Sequence, residues 1–117
     1  MKGSLPSKFT PGIFFSDEPG YYQEGDWGLR LETILQVVPA QLPAGDYGDF
    51  IQFQPVTLVP FEPKLIKFSL LSAEQKAWLR NYNKITLELV GARLLQQGRD
   101  RGYQWLLTRT TALDLDN

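Results

Sequence analysis

The first half of the chain carries three stretches in which the spacing of apolar residues predicts β-strands. The clearest covers residues 29–38, where polar and apolar side chains alternate and Arg30 and Glu32 share one face. A short aromatic run at 12–16 and a longer run at 50–61 are predicted as further strands. Pro55 and Pro60 predict that the longer run is bent or divided into edge segments.

The second half changes to a helical period. Ser72 is followed three residues later by Gln75, the pattern of a capping box. We expect an amphipathic helix of about six turns from there to near Gly98, with a bend at Gly91. A shorter helix is expected from Asp100 to Arg109. The apolar positions that recur at spacings of three and four are Trp78, Tyr82, Ile85, Leu89 and Ala92.

Strands followed by helices predict an α+β fold, with a helical layer on a mostly antiparallel sheet. We expect a single domain over residues 1–117, with an entry segment at 1–11 and a β-sheet portion at 12–61. The C-terminal helices are expected within 72–110. Residues 39–49 have the composition of a loop, and 62–71 form a connector.

Composition excludes several classes of function. The chain has 117 residues and a formal net charge of −1, which argues against a nucleic-acid partner. It has no Cys and no His, so thiolate sites, imidazole catalysis and His-based metal sites cannot come from this chain alone. No apolar run of membrane-spanning length occurs, so no membrane partner is expected and a cytoplasmic location is the default.

Charge is unevenly distributed along the chain. Residues 1–62 carry three Lys or Arg against eight Asp or Glu, whereas residues 63–117 carry nine against five. An acidic site for a cation would produce this asymmetry, and so would ordinary surface variation. Charge alone does not separate these two interpretations.

Glu18 and Glu32 are the residues on which the chemistry depends. Each lies next to an apolar strand, and the two strands are joined by a turn rich in Gly and Tyr. Two carboxylates on neighbouring strands can share a proton, act as an acid and base pair, or bind divalent cations such as Mg²⁺ or Mn²⁺. Arg30 could orient one carboxylate or neutralise it in a salt bridge. The alternative is that both glutamates are simply exposed at strand ends.

Several short motifs then point to one family. SDEPGYYQEG at 16–25 and WGLRLE at 27–32 resemble the C-terminal part of the Xaa-Pro aminopeptidases, of the creatinase/aminopeptidase (pita-bread) superfamily. PVTLVP at 55–60, SLLS at 69–72 and WLRNY at 78–82 resemble further motifs of that family, in the same order. The resemblance covers roughly residues 9 to 110 and implies a partial pita-bread fold, in which a curved antiparallel sheet precedes a long and a short helix.

The resemblance also implies a metal centre. Glu18 corresponds to one ligand of a dinuclear site that is usually manganese, and Glu32 corresponds to the ligand that bridges the two ions. Arg30 is then expected to contact one of these carboxylates. In the family, a metal-activated water attacks the peptide bond before a proline in the second position of a peptide substrate.

The family's other metal ligands, two aspartates and a histidine, precede this region, and this chain has no histidine. We therefore expect an incomplete site with no catalytic residue of its own, weak metal binding and no activity alone. The chain would be a segment of a longer enzyme, a short form that associates with a fuller chain, or a degenerate product. The alternative function is a non-catalytic interaction or dimerisation module, since relatives are often dimers.

Overall fold

The computed structural model describes residues 8–41 and 50–112. Most of the entry segment expected at 1–11 and of the loop expected at 39–49 lies outside these ranges. The chain divides into two compact units, Met1–Thr57 and Leu58–Asn117. The first unit contains the strands and the second contains the helices, which confirms the α+β class.

The first unit contains two antiparallel sheets. In the larger sheet, β4 (Thr33–Pro39) lies between β1 (Phe14–Asp17) and β5 (Ile51–Pro55). The smaller sheet pairs β2 (Gly20–Tyr22) with β3 (Gly28–Arg30). All three strand pairings are antiparallel, as the sequence predicts.

The apolar centre of this unit lies on one face of β4. Val37 is fully buried, and its partner in the register is Phe53 on β5. The ring of Phe53 meets the rings of Phe9 and Phe15, with all three centroid distances between 4.9 and 5.3 Å. Such tilted and edge-on contacts between aromatic rings are favourable beyond the area that they bury.

The strand predicted at 29–38 is divided in two, because Leu31 and Glu32 belong to neither β3 nor β4. The run predicted at 50–61 is a strand only over Ile51–Pro55. The chain beyond Pro55 makes one more sheet-like bond, from the Val56 N–H to the Ile34 carbonyl at 2.8 Å. The sequence predicted a run bent or divided into edge segments by Pro55 and Pro60, whereas the structure has one strand that ends at Pro55 and no second strand over residues 56–61.

The second unit begins its long helix as the capping box predicts. The Ser72 hydroxyl accepts a bond from the Gln75 N–H at 3.2 Å, and the Gln75 side chain accepts one from the Ser72 N–H at 2.8 Å. Helix α1 (Ala73–Thr86) continues through a π-helical turn (Leu87–Gly91) into α2 (Ala92–Gln96). Helix α3 covers Asp100–Thr111, close to the predicted range.

The π-helical turn lies where the sequence predicts a bend at Gly91. A Cβ at Gly91 would lie 3.2 Å from the Tyr103 ring, so glycine allows α3 to pack closely here. Gly98 has a φ of +64°, the left-handed conformation that glycine adopts readily after a helix end.

The core of the second unit joins α1 to α3 and to the segment before the helices. Leu79, Tyr82 and Leu106 are buried, and the Asn83 amide donates to the Thr110 carbonyl at 3.2 Å. The Tyr82 hydroxyl donates to the Val59 carbonyl at 3.0 Å and accepts from the Val59 N–H at 3.2 Å. Burial raises the pKa of Tyr82, and the hydrogen bond to Val59 opposes this effect.

Within the described residues, no helix combines the length and the apolar character needed to cross a membrane.

Tyr82→Phe is expected to lower the free energy of unfolding by about 1 kcal/mol, the typical net contribution of such hydrogen bonding. The phenylalanine ring keeps the stacking against Trp78, so the loss comes from the contacts with Val59. Urea denaturation at pH 7 measures this change in the free energy of unfolding. Tyr103→Phe is the control, and an equal loss in both variants would contradict the assignment.

The raised pKa of Tyr82 predicts a pH dependence with a definite sign. A tyrosine whose pKa is higher in the folded state ionises more easily in the unfolded state, near pH 10. The stabilisation is therefore fully present below that pH and is lost as the pH rises through the folded pKa. The decline in stability above pH 10 should be shallower in Tyr82→Phe than in the unmutated chain.

Candidate functional site

Glu18 and Glu32 lie at the point where the two sheets of the first unit meet. Glu18 follows the Asp17–Thr33 pair by one residue and precedes the Gly20–Arg30 pair by two. On the other chain segment, Glu32 precedes Thr33 by one residue and follows Arg30 by two. The two ladders therefore share one register, and that register sets Glu18 and Glu32 opposite each other.

The ladder is interrupted at this point because of Pro19. The Leu31 N–H donates to the Pro19 carbonyl at 2.9 Å, but proline has no N–H to return a second bond. The two carboxylates thus lie next to a missing backbone hydrogen bond in an otherwise continuous hairpin. The register is nevertheless the same on both sides of the gap, because Asp17–Thr33 and Gly20–Arg30 are spaced alike on the two segments.

The alternation of side chains determines which groups share the face of the two carboxylates. Backbone bonds join the pairs Ile13–Val37, Pro19–Leu31 and Gln23–Trp27, so the pairs between them are the non-hydrogen-bonded ones. When the shared register is continued between the two ladders, Glu18 and Glu32 fall at a non-hydrogen-bonded position, where opposed Cα atoms are typically about 4.5 Å apart. The same face carries Ser16, Tyr22 and Arg30.

Ser16, Glu18, Arg30 and Tyr22 form a connected series of contacts. The Ser16 hydroxyl donates to Oε1 of Glu18 at 2.8 Å, and Nη1 of Arg30 lies 3.3 Å from Oε2 of the same carboxylate. Nε of Arg30 donates to the Tyr22 hydroxyl at 2.9 Å. The Arg30 and Glu18 side chains are 52% and 43% exposed, so their ion pair contributes little to stability and chiefly orients the carboxylate.

The pKa of Arg30 is raised, first by its hydrogen bond to Tyr22 and then by the negative charges of Glu18 and Glu32. Its guanidinium is charged at any physiological pH. This fixed cation forms an ion pair with Glu18 and interacts more weakly, at longer range, with Glu32.

Two carboxylates and one guanidinium leave negative charge that a hard cation could neutralise through oxygen donors. The described residues contain no group of three or more His, Cys, Asp or Glu that could hold a metal ion. Magnesium demands six ligands in near-octahedral geometry, and octahedral oxygen sites also suit manganese. Glu18 and Glu32 fit a part of such a shell by their chemistry and placement, and their role as ligands stays a prediction.

The contacts of Ser16 and Tyr22 were not predicted from the sequence. The signal was present in the alternation, because Ser16, Glu18 and Tyr22 have the same parity on one chain segment. Tyr21 has the opposite parity, and its ring packs against Trp27, with a centroid distance of 5.3 Å. The two adjacent tyrosines therefore have different environments.

Comparison with known proteins agrees with the resemblance found in the sequence. The model of the family described as the C-terminal region of peptidase_M24 matches residues 49–113. Xaa-Pro aminopeptidase 2 of Sus scrofa is 40% identical over 111 residues, which cover 95% of this chain and 16% of that protein. A probable Xaa-Pro aminopeptidase P of Coprinopsis cinerea is 36% identical over 104 residues, covering 87% of this chain and 16% of that protein.

The fold also matches a solved structure. An X-prolyl aminopeptidase of Caenorhabditis elegans, described as a cytosolic enzyme with a di-nuclear active site, superposes with a TM-score of 0.79 at 28% identity. The match covers 87% of this chain and 16% of that one. The partial pita-bread fold expected from the resemblance is confirmed, and the chain spans about one sixth of the length of these relatives.

Pro19→Ala is expected to close the gap beside Glu18 and Glu32. The variant restores an N–H that can donate to the Leu31 carbonyl, which would join the two ladders. Hydrogen exchange measured by NMR should show protection of the new amide at position 19. Pro60→Ala, at a position outside every described strand, is the control; equally fast exchange at both positions would show that Pro19 does not cause the gap.

Proposed function

This chain belongs to the Xaa-Pro aminopeptidase family, within the C-terminal region of peptidase M24, and we propose that Glu18 and Glu32 are two ligands of a dinuclear manganese centre. The enzyme to which this region contributes would remove the N-terminal residue of a peptide whose second residue is proline. The proposal for manganese comes from the family resemblance and from the hard oxygen donors of the two glutamates.

The observation that carries the proposal is the register of the hairpin. It sets two carboxylates opposite each other on one face, where like charges are unfavourable unless a cation is near. Arg30 contacts only Glu18 at ion-pair distance among the described residues, so Glu32 is the carboxylate with less compensation from within the chain. A bound cation would supply the positive charge that Glu32 lacks.

The residues of this chain would bind the metal ions and orient one of the carboxylates that hold them. Glu18 and Glu32 would donate carboxylate oxygens, while Ser16 and Arg30 hold the Glu18 carboxylate in place. The chemistry that bound metal supplies in such enzymes is the activation of water as a nucleophile near neutral pH. We assign neither proton transfer nor substrate binding to the residues described on this face.

We further propose that the two units together form one incomplete catalytic domain, which is inactive alone. Two carboxylates are too few donors for a pair of ions, and the described residues supply no third ligand group. A cytosolic location is proposed by likeness to the enzyme of Caenorhabditis elegans.

A second candidate function is a non-catalytic interaction or dimerisation module derived from the same fold. Exposed apolar side chains in the second unit favour it: Leu65, Leu70 and Leu89 are each more than half exposed. Apolar surface of this kind suits association with another copy or with a fuller chain of the family. Light scattering separates the candidates, since a monomer at all concentrations would count against homodimerisation.

Glu18→Gln and Glu32→Gln should each lower the affinity for Mn²⁺ by more than about tenfold, since even loss of a residue that supports a ligand costs 10–100-fold. Titration with Mn²⁺, followed by the electron paramagnetic resonance signal of the free ion, measures this. The control is Glu24→Gln, which removes the same charge in the hairpin turn. An equal loss in all three variants would indicate a general charge effect, and no loss at Glu18 or Glu32 would refute the ligand assignment.

The purified chain should not hydrolyse an X-Pro peptide in the presence of Mn²⁺. The rate at which the N-terminal residue is released, measured by liquid chromatography, should equal the rate for the peptide and Mn²⁺ without the chain. Turnover that Glu18→Gln abolishes would show that the chain holds a complete centre, contrary to the proposal.

A further inference from the structure

The chain just beyond β5 is joined to β4 by a threonine side chain. The register of the two strands ends with Pro55 facing Leu35. One residue further, the Val56 N–H donates to the Ile34 carbonyl at 2.8 Å. Residues that face each other in a hydrogen-bonded antiparallel pair normally exchange both bonds. Here the Ile34 N–H instead donates to Oγ1 of Thr57 at 2.9 Å, so this side chain replaces the Val56 carbonyl as the acceptor.

Local sequence explains why a side chain takes this place. Pro55 has no N–H, but it lies at a non-hydrogen-bonded position of the ladder, where β4 needs none. From Val56 onwards the chain is no longer a strand. Thr57 follows directly, and its short, β-branched side chain has few rotamers, so it offers an oxygen at a fixed place. These three residues begin the run PVTLVP at 55–60.

The bond lies beside the segment that carries Glu32. Ile34 is the second residue after Glu32, and it faces Ser16 of β1, whose hydroxyl holds Glu18. Glu32 itself belongs to no strand, so the start of β4 is the regular structure that follows it. Ile34 is half-buried, and a buried N–H without an acceptor costs about as much as a lost hydrogen bond. The start of β4 therefore depends on β1 on one side and on Thr57 on the other.

We infer that Thr57 is a positioning residue for the metal site, because its hydroxyl oxygen holds the start of β4 so that Glu32 stays opposite Glu18. This inference rests on the proposed role of the two glutamates as ligands. Thr57 acts through the backbone of Ile34. Its loss should therefore lower the affinity for metal although both carboxylates remain.

The first test measures the backbone without metal. In the unmutated chain the Ile34 amide should exchange slowly with water, and fast exchange there would by itself overturn the inference. Thr57→Val keeps the shape of the side chain and removes the acceptor, so this exchange should become about fivefold faster, as for one lost hydrogen bond. The NMR signal between the Hα atoms of Glu18 and Glu32, which a non-hydrogen-bonded pair brings close together, should weaken. Thr57→Ser keeps the oxygen and should restore both measurements.

Thr33→Val is the matched control. It makes the same substitution next to Glu32, but Oγ1 of Thr33 is buried and has no hydrogen-bond partner among the described residues. Removal of an unpartnered hydroxyl costs little, so neither the Ile34 exchange nor the signal between the glutamates should change. Equal changes in Thr33→Val and Thr57→Val would refute the role of Thr57. So would a Thr57→Ser variant that behaves like Thr57→Val.

The second test uses Mn²⁺ alone as the probe. Paramagnetic broadening of the amide signals near Glu18 and Glu32 reports even weak binding. Thr57→Val should lower that affinity about tenfold, the lower end of the losses seen for residues that support metal ligands. Phe53→Leu weakens the aromatic contacts of the same sheet and should leave the affinity of the folded chain unchanged. An equal loss in both variants would mean that Thr57 contributes only to stability, contrary to the inference.

The two proposals fail in distinguishable ways. If Glu18→Gln leaves the broadening unchanged, or the unmutated chain shows none at these residues, the ligand assignment fails. The Ile34 exchange and the signal between Glu18 and Glu32 then decide whether Thr57 positions the pair. If Glu18→Gln abolishes the broadening while Thr57→Val behaves like Thr33→Val, the ligands stand and the role of Thr57 is refuted.

Discussion

The feature on which this site depends is a single register shared by two short ladders. Antiparallel pairing repeats every two residues, so a slip of one residue would move Glu18 to the opposite face from Glu32. The slip is opposed by the pairing on both sides, since Asp17–Thr33 and Gly20–Arg30 are aligned in the same frame. The aromatic contacts of Phe15 with Phe53 stabilise the same alignment, because they require Phe15 to stay on the core face.

That register creates an electrostatic cost, and the chain compensates it only in part. Directly opposed like charges weaken a sheet. Arg30 reaches Glu18 diagonally and contributes one positive charge, in an exposed setting where screening weakens the attraction. Pro19 adds to the cost by removing one backbone bond beside the same residues. A short hairpin that gives up both charge balance and a ladder bond at one point is typical of a functional site, where local stability is exchanged for geometry.

Much of this structure could be predicted from the sequence, and the exceptions have physical causes. The Ser72–Gln75 capping box and the helix that follows depend on neighbouring residues, so local pattern was sufficient. The division of the strand at Leu31 and Glu32 was not predicted, because it depends on Pro19, which becomes a neighbour only when the hairpin forms. The packing of Tyr103 on α3 against Gly91 was likewise not predicted, because these residues are neighbours only in the folded chain. For the site, parity predicts which residues share a face, but not that Tyr22 reaches Arg30.

The glycines on the carboxylate face explain why that contact needed the structure. Neither Gly20 nor Gly28 has a positive φ, so neither is required by backbone conformation. Their absent side chains are what matters, because the space above them lets Tyr22 and Arg30 cross the hairpin towards each other. A strand usually loses stability at glycine. Here the two glycines face Arg30 and Tyr22, and Arg30 in turn contacts Glu18. The same glycines that weaken the ladder therefore make room for the contacts that order this carboxylate.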